Sequence, residues 1–196
     1  MRILVFVDVH GSQKALKELE KKAKDVDLII CAGDISQFEL NLDKHLAKLD
    51  SFEKLVLIIH GNHEEPDILK KACSKFENIV FFHKKIEIIN NVLFIGFGGG
   101  GFEKQSPEMA KFFEKHEKEL KKAKEAVFIF HAPPYKTRLD KINSSNNGNN
   151  TIRDMIIKYK PSYAICGHFH ENWQKQDKLG SCKIINPGPS GAILRV

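Results

Sequence analysis

Five times along this chain a short run of branched aliphatic and aromatic residues stops at glycine, aspartate, asparagine or histidine. Residues 3–7 empty into Asp8-Val9-His10-Gly11, 28–31 into Gly33-Asp34, 55–59 into Gly61-Asn62-His63-Glu64, 127–130 into His131, and 163–166 into Gly167-His168-Phe169-His170. A near-continuous apolar run closed by turn formers reads as a strand buried on both faces. Loops at the carboxyl ends of such strands are held by a rigid sheet yet free of its hydrogen-bond ladder, and open α/β sheets bind ligands there. The pattern asks for a fold that brings five strand ends, with their Asp, Asn and His residues, to one rim.

Between these runs the period changes. Residues 12–24 place Ala15, Leu16, Leu19 and Ala23 on one side of a helix with Ser12 as its cap, and further helices are expected near 37–49 and from Pro66 to about residue 75. Such β-α alternation argues for strands with helices packed outside them. Residues 79–82 and 85–89 are strand-like, Asn90-Asn91 makes a turn and 92–97 returns, so a hairpin is expected. A flexible loop at Gly98-Gly99-Gly100-Gly101 follows, then a long lysine-rich helix from Ser106-Pro107-Glu108 to about residue 125. The polar stretch 133–150 reads as a lid or a disordered linker, and a helix resumes over 151–160. Residues 173–176, 182–185 and 192–196 read as three short strands of a second sheet.

The 196 residues suffice for a single domain over 1–196 with a sizeable core. No apolar run approaches the roughly 18 residues of a membrane span, and Asp8 interrupts the apolar N-terminus too early for a signal peptide. A soluble, cytoplasmic protein with no membrane partner is expected. Cys31, Cys73, Cys166 and Cys182 lack pair spacing and read as buried thiols of a reducing compartment. A net charge of +6 raises nucleic acid as a partner, but the lysines at 14–24 and 111–124 interleave with glutamate at helical spacing, the pattern of a solvated helix face.

Asp8 and His10 are two apart, as are His168 and His170, and on extended backbone positions i and i+2 point the same way. Each pair can therefore grip a metal ion from one face. Singly, Asp8 could cap a helix, Asn62 could serve its turn, and a lone histidine needs no ligand role. With Asp34, Asn62 and His131 added, however, seven donors fall just after strands, more than one first-row ion needs. Two divalent transition-metal ions sharing a carboxylate would use the set fully. Mixed imidazole and carboxylate donors suit manganese, the first choice, or nickel, iron or zinc better than calcium or magnesium. His45, His83 and His116 lie in helix or hairpin contexts without partners and are expected at the surface, while His60 and Asn186 are candidates to orient ligands. No Gly-x-Ser-x-Gly elbow or partnered cysteine offers another nucleophile.

These motifs in this order resemble those of the calcineurin-like metallophosphoesterases. The resemblance runs through Asp8-Val9-His10, Gly33-Asp34, Gly61-Asn62-His63-Glu64, His131, Gly167-His168-Phe169-His170 and Asn186-Pro187-Gly188-Pro189-Ser190, and so covers nearly the whole chain. It implies a four-layer αββα sandwich, two mixed β-sheets packed face to face with flanking helices. It implies that Asp8, His10, Asp34 and His170 hold one metal, and Asp34, Asn62, His131 and His168 the other, with Asp34 as the bridge. His63 would be an acid that is not a ligand, so catalysis would turn on Asp34 and His63. Two cations sharing a water would supply hydroxide near neutral pH for in-line attack on phosphorus, and His63 would protonate the leaving alkoxide.

Two departures narrow the expectation. Protein phosphatases of the family carry an arginine after the second motif and another beside the third, whereas here Asp34 is followed by Ile35-Ser36-Gln37-Phe38 and Glu64 by Glu65-Pro66. The family's repair nucleases carry extra DNA-capping domains for which this chain has no room. A small single-domain phosphodiesterase acting on simple or cyclic nucleotide-type diesters is expected. A phosphomonoesterase, a metal-dependent nuclease and a non-catalytic scaffold are the alternatives, and homo-oligomerisation stays open. Tyr135, Lys136 and Arg138, with Lys141, are the candidate substrate contacts, and Phe102 a wall opposite them.

Overall fold

Alternation within the apolar runs decides how the layers stack. In β1 (Arg2–Phe6) of the computed structural model, which describes residues 1–196, Leu4 and Phe6 join a core cluster beneath helices, while Ile3 and Val5 point the other way into a second cluster. The chain continues through α1 (Gln13–Ala23), β2 (Leu28–Cys31), α2 (Leu42–Asp50), β3 (Val56–Ile58), α3 (Pro66–Cys73) and β4 (Ile79–Phe81). Strands β1 to β4 pair in parallel in that order. The Ser12 hydroxyl accepts from the Ala15 N–H at 3.3 Å and starts α1, and Pro66 sits in the first turn of α3, where its missing N–H has no helical partner to lose. Leu16, Leu19, Leu46, Leu49 and Leu69 from the three helices cover Leu4, Phe6, Ile29 and Ile58.

The second half repeats the scheme. A hairpin of β5 (Lys85–Ile89) and β6 (Val92–Phe97) leads to α4 (Pro107–Lys115), α5 (Glu117–Lys122) and β7 (Ala126–Phe130). Two short strands, β8 (Lys141–Ile142) and β9 (Ser145–Asn146), precede α6 (Asn150–Tyr159), β10 (Tyr163–Ile165), β11 (Lys175–Leu179), β12 (Cys182–Asn186) and β13 (Ala192–Arg195). The second sheet runs β11-β12-β10-β7-β6-β5, parallel at its centre with an antiparallel strand at each edge. Phe113, Leu120, Ile152 and Ile156 cover its outer face. Its inner face meets the first sheet where Phe94, Ile129 and Ile165 pack with Val5, Ile30 and Leu57. The result is the expected αββα sandwich.

Five expectations need correction. β13 joins the first sheet, antiparallel to β1, and not the second. The lysine-rich helix is broken at His116, whose N–H bonds to the Phe113 carbonyl three residues back instead of four. The second helix begins at Leu42, after a loop through residues 36–41. The 133–150 stretch is not a disordered linker: buried Asp140 accepts from the N–H groups of Lys136, Thr137 and Gly148 at 2.9–3.1 Å and from Asn146 Nδ2 at 2.7 Å, which ties the loop around one carboxylate. His45 is buried under Gly11 instead of lying at the surface, and His83 and His116 are half-buried.

Candidate metal centre

The loops after β1 and β2 are zipped together by their backbones. The N–H groups of Asp8, His10 and Gly11 donate to the carbonyls of Gly33, Asp34 and Ile35 at 3.1, 2.9 and 2.9 Å. To do this Asp8, His10 and Asp34 take φ values of +57°, +46° and +54°, and His168 takes +69°. The extended backbone expected for the Asp8/His10 and His168/His170 pairs is therefore absent, and the i, i+2 argument fails for both. Non-glycine residues rarely adopt this left-handed region, and such strain collects where a site over-determines the chain. Gly33, at φ +103°, and Gly61 permit the crowding, since a Cβ on Gly33 would lie 2.7 Å from Gly61 N and one on Gly61 would run into Asp34 Oδ1.

All seven expected donors meet at this crossing. Asp34 Oδ2 lies 3.3 Å from His131 Nε2 and 3.8 Å from His10 Nε2. Asn62 Oδ1 is 3.0 Å from His131 Nε2 and 2.8 Å from His168 Nδ1. His170 Nε2 is 3.2 Å from His10 Nε2 and 4.0 Å from Asp8 Oδ2. Two donors held about 2.1 Å from one ion sit about 3.0 Å apart at a right angle, about 3.4 Å apart at the tetrahedral angle and at most about 4.2 Å apart when opposite, so every one of these spacings is within the span of one ion. His168 and His170 fall into different sets, one beside Asn62 and His131, the other beside Asp8 and His10. Asp34 belongs to both.

The electrostatics ask for a cation. Burial alone would raise the Asp34 carboxyl, but the His131 imidazole beside it, with the His63 N–H donating to Oδ1 at 3.0 Å, holds it well below the usual carboxylate range. Burial would likewise lower His131, yet Asp34 outweighs it and carries the imidazole up to about 9. His168 falls to about 4, first through burial and then through the charge on His131. His10 is lowered by burial against the pull of Asp34 and Asp8. A proton on His131 thus balances Asp34 where a metal would otherwise do so. His131 Nδ1 donates to the Ala32 carbonyl at 3.0 Å, leaving Nε2 as its ligand atom, and buried His10 Nδ1 and His168 Nε2 have no partner. Asp8–His10–His170, His10–Asp34–His63 and Asp8–Asp34–His131 each bring their donor atoms within 4.8 Å, so the residues fit divalent ions.

The remaining candidates are held by the following bonds. The backbone N–H groups of Lys136 and Arg138 donate to Asp140 and Asp177, the Tyr135 carbonyl accepts from Arg153, and none of the three bonds to a donor residue. His60 Nδ1 reaches its neighbour's carbonyl at Gly61, and Asn186 braces Gly188 and Phe169. Phe102 does approach, its ring 5.0 Å from that of His168.

Three further residues hold the site. Glu64, buried, accepts from the N–H groups of Asp34, Ser36 and Gly61 at 3.0, 2.8 and 3.3 Å and from the Ser36 hydroxyl at 2.9 Å, tying the loops after β2 and β3 together. Burial, and then Asp34, raise its carboxyl to about 7. Its place directly after His63 was the available signal. Trp173 donates from Nε1 to Asp8 Oδ2 at 3.0 Å and packs against His170 with ring centroids 4.5 Å apart. Phe38 lies against His63 at 4.4 Å. Neither has a local sequence signal, because each meets its partner through the fold.

The family model described as calcineurin-like phosphoesterase matches residues 1–172. The chain belongs to that family. This calcineurin-like phosphoesterase is 28% identical over 201 residues to an uncharacterized protein, MJ1162, of Methanocaldococcus jannaschii, covering 96% of this chain and 88% of that one. The structure of TT1561 of Thermus thermophilus superposes with a TM-score of 0.78 at 21% identity, over 96% of this chain and 90% of the other. A dimetal phosphatase from Danio rerio gives a TM-score of 0.62 at 13% identity, over 95% and 86%. These structural likenesses show a shared fold. No helix is long and apolar enough to cross a membrane.

Proposed function

We propose that this calcineurin-like phosphoesterase is a dinuclear-metal hydrolase of small phosphodiesters. The observation that carries the reading is Asp34 Oδ2, which stands at hydrogen-bonding or ion-pair distance from a histidine of each donor set. Asp8, His10, Asp34 and His170 would hold one ion, and Asp34, Asn62, His131 and His168 the other, with manganese, nickel, iron or zinc suited to the donors. The ions when bound supply Lewis acidity at the phosphoryl oxygens and acidify water. Glu64 and Trp173 keep Asp34 and Asp8 aimed at them. His63, whose donor atom lies within 4.8 Å of those of His10 and Asp34, would protonate the leaving alkoxide.

The surroundings support a diester over a monoester. Phe38, Phe102 and Trp173 pack against the site histidines, tilted or edge-on, and no lysine or arginine bonds to a donor residue. A monoester dianion would gain from such a cation, whereas a diester monoanion brings a second organic group to be packed. The test compares bis-p-nitrophenyl phosphate with p-nitrophenyl phosphate after stripping the metals and restoring manganese, nickel, zinc or magnesium singly. Metal-dependent release favouring the diester is expected; a monoester preference would make the protein a phosphatase, and silence in protein holding two ions would make it a scaffold. His63→Ala should keep its metal content while losing turnover by about 10²- to 10⁴-fold, and metal loss equal to that of Asp34→Asn would overturn its role.

A further inference from the structure

Two large aromatic side chains stand exposed against histidines of the centre. Phe38 is 68% exposed with its ring 4.4 Å from that of His63, and Phe102 is 66% exposed with its ring 5.0 Å from that of His168. Scattered surface apolar residues are ordinary, but these two are held in place over the site. Phe38 has φ +50°, and Glu39 and Asn41 beside it have +57° and +56°. A bulky residue there is strained, and the loop keeps that conformation because it is tied at both ends. Ser36 is fixed to Glu64, and Glu39 Oε1 accepts the Glu65 N–H at 2.7 Å. Phe102 packs on Phe169 at 5.6 Å, next to His168 in the chain.

Resting on the phosphodiester reading, we propose that Phe38 and Phe102 are the specificity-determining residues of the site, a clamp that selects phosphodiesters bearing planar aromatic or nucleobase substituents. Ions address the charged phosphoryl group, and nothing in them distinguishes an aryl from an alkyl ester. Exposed aromatic faces do, because a ring stacked on a ring buries apolar area with a favourable geometry and accepts any planar partner. Phe38 rests on His63, the proton donor to the leaving oxygen, and so takes the leaving group. Phe102 rests on His168 and takes the group that stays on phosphorus.

The experiment measures binding of diphenyl phosphate and dimethyl phosphate to the manganese-loaded protein by calorimetry, followed by hydrolysis of bis-p-nitrophenyl phosphate and methyl p-nitrophenyl phosphate. Wild-type protein should prefer the diphenyl ester, and Phe38→Ala and Phe102→Ala should each reduce that preference by about five- to tenfold. Phe38→Tyr and Phe102→Tyr should keep it, which a merely structural role would not require. In hydrolysis, Phe102→Ala should lower the bis-aryl to methyl-aryl ratio, whereas Phe38→Ala should lower both rates in proportion. Equal wild-type affinity for the two binding probes overturns the clamp and leaves the phosphodiester reading standing. Failure to bind either ester, in protein shown to hold two ions, overturns that reading and the clamp with it. A Phe38→Ala protein with its preference intact but a changed oligomeric state by light scattering would assign the ring to a contact between copies instead.

Discussion

His131 follows β7 and His170 follows β10, and each completes one donor set, but one is sealed in the protein and the other faces solvent. The His131 side chain is 0% exposed, its Nδ1 committed to the Ala32 carbonyl and its Nε2 to Asp34 and Asn62. The His170 side chain is 47% exposed and packs against Trp173 with the rings tilted, its Nε2 beside His10. One main-chain hydrogen bond and two side-chain contacts fix the first ring as the protein folds, so little ordering would remain when an ion arrives. The second ring keeps more freedom and must lose it on binding. If both rings bind metal as proposed, the same ligand type would serve a tight, preorganised position and an exchangeable one within a single cluster.

Asp34→Asn breaks the comparison outright, because Oδ2 faces both sides. Metal analysis should show both ions lost, with turnover down to background. His131→Ala and His170→Ala then sharpen it: competition with a chelator should show metal affinity falling about 100-fold or more on the closed side and about 10-fold on the open one. Equal losses would mean that burial does not set the difference.

A proton-linked effect follows on the closed side. His131 is raised from its ordinary 6.5 to about 9 by Asp34, so in metal-free protein the pair's stabilisation is complete below about pH 6.5 and is lost as pH rises through 9. Thermal unfolding of stripped protein should therefore occur at lower temperature at pH 9.5 than at pH 6.5, and metal affinity should climb across the same window as the proton ceases to compete. A stripped protein equally stable at both values would remove His131 as the balancing charge. The smallest effect belongs to the open side. Trp173→Phe keeps a ring against His170 but deletes the Nε1–H donated to Asp8, and it should weaken that side's affinity within about tenfold while sparing the other.

Much of this was legible along the chain. Apolar runs alternating with amphipathic stretches specify strands and helices because periods of 2 and 3.6 are local properties, and Leu4 and Phe6 separate from Ile3 and Val5 on that ground alone. Asp8, His10, Asp34, Asn62, His131, His168 and His170 were identifiable as a group because each follows a strand and parallel strands of a sheet end together, the first four after β1, β2 and β3 of one sheet and the other three after β7 and β10 of the second. What the tertiary structure alone decided involves partners distant in sequence. The left-handed turns at Asp8, His10, Asp34 and His168 exist because neighbouring loops exchange hydrogen bonds and side chains. The division of His168 and His170 between two donor sets, the bond from Trp173 to Asp8, the seating of Phe38 on His63, the folding of 133–150 around Asp140 and the burial of His45 under Gly11 arise the same way. Local pattern fixes which way a side chain can point on its own element; which group it meets depends on how separate elements pack, and no period in the sequence records that.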